Sequence, residues 1–302
     1  TKQITGNMPR VGRIGLAYFA SPKGKILTEM TVTNLAENDF LLMTGAGAYW
    51  HDRDLLMASL PADGSVTIND VTRHLATLLV TGPKAPAILA DMTGQSMTHD
   101  DFAWLSHRKI DLAGCQANVI RVSFAGEAGF EIHCPMDDVV AVYDAVMAAG
   151  AAHQLRPFGV LALDSMRLEK GYRSWKADLT SDYTMLESGL GRWVNFNKDD
   201  FVGRVALQAE KQAGSKREFV TLTLDDPDDD APFGEAVYLS NVSIDGVDAG
   251  LVVSAGYGHR VGASIAMAVV DRQALAKAKD ISVLVLGRQR RATVVEGHVL
   301  YD

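Results

Sequence analysis

The sequence predicts a protein of mixed helices and strands whose C-terminal third is almost entirely β. A three-stranded antiparallel meander is indicated over residues 11–45, where apolar runs are separated by turn residues. Strand and helix signals then alternate over 73–170. From residue 216 onward, short strands separated by Gly- or Asp-rich turns are typical of a small β-barrel or a sandwich.

The length of 302 residues fits two domains. A polar Lys-Gln-Ala-Gly-Ser-Lys stretch at 211–216 has the composition of a boundary. We therefore expect one domain over 1–210 and a second over 211–302. The chain opens on Thr1 instead of an initiator Met, which suggests a processed or excised piece of a larger protein.

The individual elements follow from local patterns. In the first half, apolar runs bounded by turn residues predict strands over 14–19, 26–35, 40–44, 75–80, 119–124 and 130–133. Helical periodicity predicts helices over 50–60, from Gly82-Pro83 with proline at the first helical position, over 137–149 and over 158–170. In the last third, strands are predicted over 219–224, 235–239, 265–270, 281–286 and 292–295.

Composition excludes several classes of partner. With 47% hydrophobic and 22% charged residues the chain is globular, and the net charge of −8 argues against nucleic acid as the main partner. No run of 18 apolar residues indicates a membrane helix. Two cysteines cannot form a disulfide framework, so we expect a reducing compartment, the cytoplasm or, in a eukaryote, the mitochondrial matrix.

Metal and dinucleotide motifs are not expected. The eight histidines never pair at i+3 or i+4, so a zinc or iron site is improbable and no metal is predicted. Gly45-Ala-Gly47 resembles the start of a dinucleotide loop, but Trp50 stands where the third glycine belongs. Cys115 and Cys134 have no histidine–acid partner in sequence and are expected to be structural.

Three carboxylates are more informative. Glu29 lies inside an apolar and Thr-rich strand, where alternation places it on one face with Thr31. Such a face indicates either a polar cavity or a solvent-facing sheet surface. Glu131 also lies within a strand, and solvent exposure is again the simpler interpretation. Glu169 follows Arg167 at the end of a predicted helix, where a surface ion pair is the alternative to a binding role.

Several stretches, in order along nearly the whole chain, resemble the aminomethyltransferase family. This family comprises the folate-binding glycine cleavage T-protein and the C-terminal half of dimethylglycine and sarcosine dehydrogenases. Two further stretches, 40–52 and 171–175, are more similar to the dehydrogenase branch. The family-like stretches are 12–33, 81–85, 121–132, 164–190, 200–204 and 254–269.

The resemblance implies a fold and a cofactor. The fold is α+β, with two intertwined α+β subdomains and a C-terminal β-barrel around a central folate-binding hole, the first subdomain here being short at its N-terminus. On this basis 1–210 is an N-terminally incomplete folate-binding aminomethyltransferase domain and 211–302 the barrel. The cofactor is tetrahydrofolate. FAD belongs to a missing or partner domain, so the implied partners are a flavin-dependent dehydrogenase or oxidase and a reduced folate, with no nucleic acid and no membrane.

The resemblance also assigns site residues. The family's strand aspartate, which polarises the reacting folate nitrogens, falls on Glu29, so Glu29 is the expected catalytic residue. The pterin-binding glutamate falls on Glu169, and a basic residue near the folate glutamate tail falls at Lys198. The expected folate-binding set is Glu29, Thr31, Phe124, Glu131, Glu169 and Lys198, with Phe124 in place of the tyrosine usual in its motif.

The expected activity is tetrahydrofolate-dependent one-carbon transfer. The chain would capture carbon from an N-methyl amine-derived iminium, or from formaldehyde, as 5,10-methylenetetrahydrofolate. Glutamate in place of the family's aspartate at residue 29 favours the dehydrogenase branch. Two alternatives stay open: a glycine cleavage aminomethyltransferase acting with a lipoyl protein, and a folate-binding module without catalysis.

Overall fold

A computed structural model describes residues 2–231, 234, 236–239 and 248–301. Its strands are Ile14–Ala20 (β1), Ile26–Ala36 (β2), Asp39–Met43 (β3), Leu75–Thr81 (β4), His107–Leu112 (β5), Cys115–Ile120 (β6), Gly129–Pro135 (β7), Arg217–Leu224 (β8), Ala236–Leu239 (β9), Gly250–Gly258 (β10), Ala263–Asp271 (β11), Ile281–Val285 (β12) and Arg288–Val294 (β13). Its α-helices are Tyr49–Ala58 (α1), Ala85–Thr93 (α2), Val139–Gly150 (α3), Val160–Glu169 (α4), Arg204–Ala213 (α5) and Arg272–Leu275 (α6).

The chain divides into two compact units, and neither is contiguous in sequence. One unit comprises Thr1–Asn7, Ala17–Glu29 and Val160–Asp302, and the other comprises Met8–Leu16 and Met30–Gly159. Strands β1 and β2 each contribute residues to both units. The predicted boundary at 211–216 covers the last three residues of α5 and the connection to β8, inside the first of these units.

The predicted meander is confirmed as the three-stranded sheet β1-β2-β3. In β2, Thr28, Met30 and Val32 are buried, whereas Leu27, Glu29 and Thr31 are partly exposed. This period of two places Glu29 and Thr31 on the same face, as the sequence predicts.

The second unit contains an antiparallel sheet in the order β4-β7-β6-β5. One face of this sheet packs with α2 and α3 around a core that includes Phe102, Phe130, Ile132 and Val142. The predicted strands 75–80 and 130–133 are confirmed as parts of β4 and β7.

Two predictions in this unit are wrong. The strand predicted over 119–124 is β6, which ends at Ile120, and its hairpin partner β5 was missed. The strand ends where Arg121 turns into the interior, because its Nη1 donates to the carbonyls of Thr98 and Phe102 at 2.6 Å each. The helix expected from Pro83 begins at Ala85, with Pro86 in its first turn.

The first unit contains a closed antiparallel barrel in the order β10-β11-β8-β13-β12-β9, which decides between the barrel and the sandwich. The interior includes Leu222, Val252, Ala268 and Val283, all fully buried. The predicted strand 235–239 corresponds to β9, although residue 235 lies outside the described residues. Helix α5 and strand β10 were not predicted.

Candidate functional site

Glu29 is held on β2 beside Tyr18 of β1, and both residues belong to the same compact unit. The Tyr18 side chain is buried at 3% exposure, and its hydroxyl lies near the Glu29 carboxylate. Burial raises the pKa of Glu29, and the interaction with the Tyr18 side chain opposes part of that rise. Although Glu29 is partly exposed as a residue, its carboxyl group is largely withdrawn from water, which favours the cavity over the solvent-facing alternative.

Tyr18 lies in the field of two arginines as well as the Glu29 carboxylate. Burial raises the pKa of Tyr18 well above its usual range, and the charge of Glu29 adds to the rise, while Arg173 and Arg192 oppose it. Burial lowers the pKa of Arg173 to about 10. The Arg173 guanidinium lies 4.0 Å from the centre of the Phe219 ring, and its Nε is buried without a hydrogen-bond partner among the described residues. Two cationic side chains therefore act on the Tyr18 hydroxyl together with the Glu29 carboxylate.

Glu169, at the end of α4, is buried at 2% exposure and is not part of a surface ion pair. Its Oε1 accepts hydrogen bonds from the backbone N–H groups of Arg260 at 2.7 Å and Val261 at 3.1 Å. The approach is close, because a Cβ built on Gly258 would lie 3.0 Å from Cγ of Glu169. One carboxylate oxygen of Glu169 thus stabilises the turn after β10 by accepting two backbone hydrogen bonds.

Arg167 forms side-chain hydrogen bonds with Asp164, Asp178 and Ser254, and not with Glu169. Its Nη1 donates to Oδ2 of buried Asp178 at 2.6 Å, and its Nε donates to Oδ1 of Asp164 at 2.7 Å. Its Nη2 donates to Oγ of Ser254 on β10 at 2.7 Å. This network fixes the C-terminal turn of α4 against the barrel, so the position of Glu169 is set by its helix and by the turn that it binds.

Lys198 holds the N-terminal segment. Its Nζ donates to the carbonyls of Ile4 at 2.7 Å and Gly6 at 2.9 Å. Burial lowers the pKa of Lys198. Lys198, which is expected to bind the folate glutamate tail, therefore also stabilises the N-terminal segment.

The other three predicted residues lie in the second unit. Thr31 is partly exposed on β2, and Phe124 lies at 36% exposure in the segment after β6. The side chain of Glu131 on β7 is 30% exposed, and its Oε2 is 3.3 Å from Nε2 of His133. The carboxylate of Glu131 is accordingly more accessible than that of Glu169.

Sequence reasoning missed Tyr18, Arg173 and His133 as site residues. Tyr18 lies in an apolar strand, where an aromatic residue looks like core, and its partner on β2 becomes evident only through strand pairing. Arg173 follows Glu169 by four residues, and a buried arginine cannot be distinguished from a surface one by composition. His133 could have been found from its spacing, since residues i and i+2 of a strand share a face with Glu131.

Other features of the described residues do not indicate a particular reaction or ligand. Within residues 2–231, 234, 236–239 and 248–301, no group of three His, Cys, Asp or Glu side chains could hold a metal ion. Over the same ranges, no helix is long and apolar enough to cross a bilayer. A pocket of about 480 Å³ lined by Lys25, Tyr183 and Arg217 contains none of the predicted site residues.

Family models match the chain in two parts. Residues 2–198 match the GCVT N-terminal domain, and residues 217–302 match the glycine cleavage T-protein C-terminal barrel domain. The chain therefore belongs to the glycine cleavage T-protein family.

Its relatives by sequence include both branches expected above. Human mitochondrial dimethylglycine dehydrogenase is 32% identical over 96% of this chain, and human mitochondrial sarcosine dehydrogenase is 33% identical over 72% of it. The matches cover 33% and 23% of those two proteins, so the chain spans about a third or less of their length. An aminomethyltransferase of Anoxybacillus flavithermus is 28% identical over 97% of this chain and 79% of its own. By name, these relatives are enzymes.

A solved structure supports the fold. The glycine cleavage system aminomethyltransferase T of Bartonella henselae superimposes with a TM-score of 0.81 at 23% identity, over 96% of this chain and 77% of its own. The α+β architecture with a C-terminal barrel is therefore that of the family.

Proposed function

We propose that this chain is the tetrahydrofolate-dependent one-carbon transfer portion of a dimethylglycine or sarcosine dehydrogenase-like protein. It captures carbon from an N-methyl amine-derived iminium, or from formaldehyde, as 5,10-methylenetetrahydrofolate. Support comes from human dimethylglycine dehydrogenase, which matches 96% of this chain over 33% of its own length. The remaining length leaves room for a flavin-dependent partner that carries FAD.

The Glu29–Tyr18 pair is the observation that carries this proposal. A carboxyl group whose pKa is raised by burial can exchange a proton closer to neutral pH than an exposed one. The buried Tyr18 side chain interacts with this carboxyl group and opposes part of the rise in its pKa. Bound tetrahydrofolate supplies the nucleophilic nitrogen, and Glu29 holds or moves the proton released there.

The remaining residues of the proposed set fit folate to different degrees. A pterin edge offers N–H donors that a carboxylate accepts, and Glu131 keeps an accessible carboxylate for them. Glu169 has Oε1 engaged with two backbone amides, so its contribution to the pterin is through Oε2. Thr31 shares the strand face of Glu29, Phe124 offers a partly exposed ring, and Lys198 offers a cation to the folate tail.

The domain assignment and location complete the proposal. Residues 1–210 form the folate-binding domain and 211–302 the barrel domain. The compartment is the cytoplasm or, in a eukaryotic cell, the mitochondrial matrix. A glycine cleavage aminomethyltransferase is the second candidate, favoured by the match to 79% of the Anoxybacillus flavithermus enzyme.

Oxidation of dimethylglycine by the chain joined to its flavin partner tests the function. The rate of flavin reduction measures the activity of the flavin partner. The amount of formaldehyde trapped at early times measures the carbon that folate does not capture. Glu29→Gln should leave flavin reduction unchanged and lower the rate of methylene transfer about 10²–10⁴-fold. Glu29→Asp, which restores the family's residue, should be faster than Glu29→Gln, and Glu37→Gln in an exposed turn is the matched control.

Transfer by Glu29→Gln at the parent rate would refute the role of Glu29. Binding of tetrahydrofolate by the parent without any capture would favour the non-catalytic module. Release of an aminomethyl group from a lipoyl protein, with no capture from dimethylglycine, would favour the glycine cleavage enzyme.

A further inference from the structure

Strand β7 presents two chemically different faces. Phe130, Ile132 and Cys134 point into the apolar core of the second unit. Glu131 and His133 alternate with them and therefore lie on the opposite face of the sheet. His133 is nevertheless only 2% exposed, so an ionisable ring is buried on the face that carries a predicted folate-binding carboxylate.

The His133 ring is held at one nitrogen. Its Nδ1 lies 3.0 Å from Oγ1 of Thr77, which is opposite His133 in the pairing of β4 with β7. Its Nε2 lies 3.3 Å from Oε2 of Glu131, but the contact does not have hydrogen-bond geometry, and Nε2 is buried without a hydrogen-bond partner among the described residues. Buried polar atoms normally have partners, so this nitrogen needs an explanation.

The contacts select between the two tautomers of the ring. If Nδ1 carried the only proton, the lone pair of Nε2 would face the Glu131 carboxylate at 3.3 Å, which is repulsive. If the Thr77 hydroxyl donates to Nδ1, Nε2 carries a proton and faces an acceptor. Glu131 is 30% exposed and can rotate, whereas His133 is packed, so the carboxylate is the partner that moves.

We infer that His133 is a positioning residue that donates from Nε2 to one oxygen of Glu131 and so presents the other oxygen to the donor edge of a bound pterin. This inference rests on the proposed function, because it takes Glu131 to contact folate. Hydrogen bonds at binding sites are often long without ligand and shorten in the complex, which fits a 3.3 Å contact that does not yet have hydrogen-bond geometry. Thr77 fixes the ring so that only the carboxylate has to adjust.

The same sheet face offers a matched control. His107 on β5 is half-buried, and its Nε2 bonds Oδ1 of Asn118 at 3.0 Å. Asn118 is opposite His133 in the pairing of β6 with β7. His107 thus has the same ring and a neighbouring place, but its partner is an amide and not a predicted folate carboxylate.

Titration of the full chain with tetrahydrofolate under anaerobic conditions tests the inference. His133→Phe should raise Kd about tenfold, the effect of one lost hydrogen bond. His133→Gln, whose side-chain amide can donate, should stay within about threefold of the parent, and His107→Phe should bind like the parent. In a Glu131→Gln background, His133→Phe should have little further effect, because the two residues act as a unit. In the unaltered chain, the Nε2–H proton resonance of His133 should shift when folate binds.

Several results would overturn the inference. One is a His133→Phe variant that unfolds like the parent and binds folate equally well. Another is an equal loss of affinity with and without Glu131, since that would make His133 a packing residue. An unshifted Nε2–H resonance in a folate complex is a third, and it needs no variant. If the parent chain does not bind tetrahydrofolate, the proposed function fails first and the inference fails with it.

Discussion

Asp178 accepts a hydrogen bond from Nη1 of Arg167 at 2.6 Å, and both side chains are buried. The pair ties the segment after α4 to the helix, because Asp178 also accepts from the backbone N–H of Ser174 at 2.7 Å. A buried guanidinium stripped of its main counter-ion is strongly destabilising.

Asp178→Asn should therefore lower the free energy of unfolding by about 3–5 kcal/mol, measured by urea denaturation. Asp280→Asn is the matched control, since it removes an ion pair with Arg291 in which both side chains are about half exposed or more. That variant should change the free energy of unfolding by less than about 1 kcal/mol. Equal effects of the two variants would show that burial of the Arg167 pair does not matter.

Glu29→Gln should alter the pH dependence of stability. The folded-state pKa of Glu29 is raised from its usual value of 4.5, so the folded protein binds more protons than the unfolded chain between 4.5 and the raised value. Stability contributed at this site is present below pH 4.5 and falls as pH rises through that window. The Tm of Glu29→Gln relative to the parent should accordingly increase from pH 4 to pH 7. A constant difference in Tm would contradict the burial of the carboxyl group.

Substitutions of Glu169 should separate folding from folate binding. Glu169→Ala leaves the N–H groups of Arg260 and Val261 without their acceptor and should lower the free energy of unfolding by about 1–3 kcal/mol. Glu169→Gln keeps a carbonyl oxygen for them and should remain close to the parent in stability. It should still weaken tetrahydrofolate binding by about 1.5–3 kcal/mol, measured by calorimetry. Unchanged affinity in the Gln variant would remove Glu169 from the pterin site.

Lys198→Met should loosen the N-terminal segment. Loss of the bonds to Ile4 and Gly6 should lower the free energy of unfolding by about 1.5–3 kcal/mol and speed hydrogen exchange at the Thr5 amide, which bonds Tyr18. Lys109→Met on the exposed side of β5 is the control. If Lys198 also binds the folate tail, the variant should weaken tetrahydrofolate more than a reduced pterin without glutamate. Equal weakening of both ligands would contradict the tail contact.

The elements that were predicted are those whose local pattern agrees with their final environment. Strand β2 alternates in sequence and in burial, and helix α4 has the predicted limits to within two residues. Strand β10 was missed because its glycines look like turn residues. They are required by close packing instead: a Cβ on Gly250 would lie 2.6 Å from the carbonyl oxygen of Val269 on the neighbouring strand.

Helix α5 was missed for a different reason. Its residues are good helix formers, but its last three residues belong to the polar stretch 211–216, whose composition is that of a domain boundary. Gly203 before it has positive φ and would place a Cβ 2.5 Å from the carbonyl oxygen of Ser21, a long-range contact that no local pattern reveals.

The family resemblance predicts the carboxylates of the candidate site and not their partners. Glu29, Glu131 and Glu169 are assigned to folate by that resemblance, and their roles stay predictions. Tyr18, His133 and the turn at Arg260 and Val261 emerge only when strands and helices pack. The engagement of Oε1 of Glu169 by backbone amides is a tertiary event with no sequence signal.

Strands β1 and β2 each run through both compact units, and this has a practical consequence for dissecting the molecule. A fragment ending at Gly159 would carry strand residues of a unit whose barrel it lacks, and the complementary fragment from Val160 would lack Ala17–Glu29. No single cleavage therefore releases either unit whole. Co-expressed halves that regain function would have to do so by complementation, through re-pairing of shared strands, and not by the docking of two finished modules.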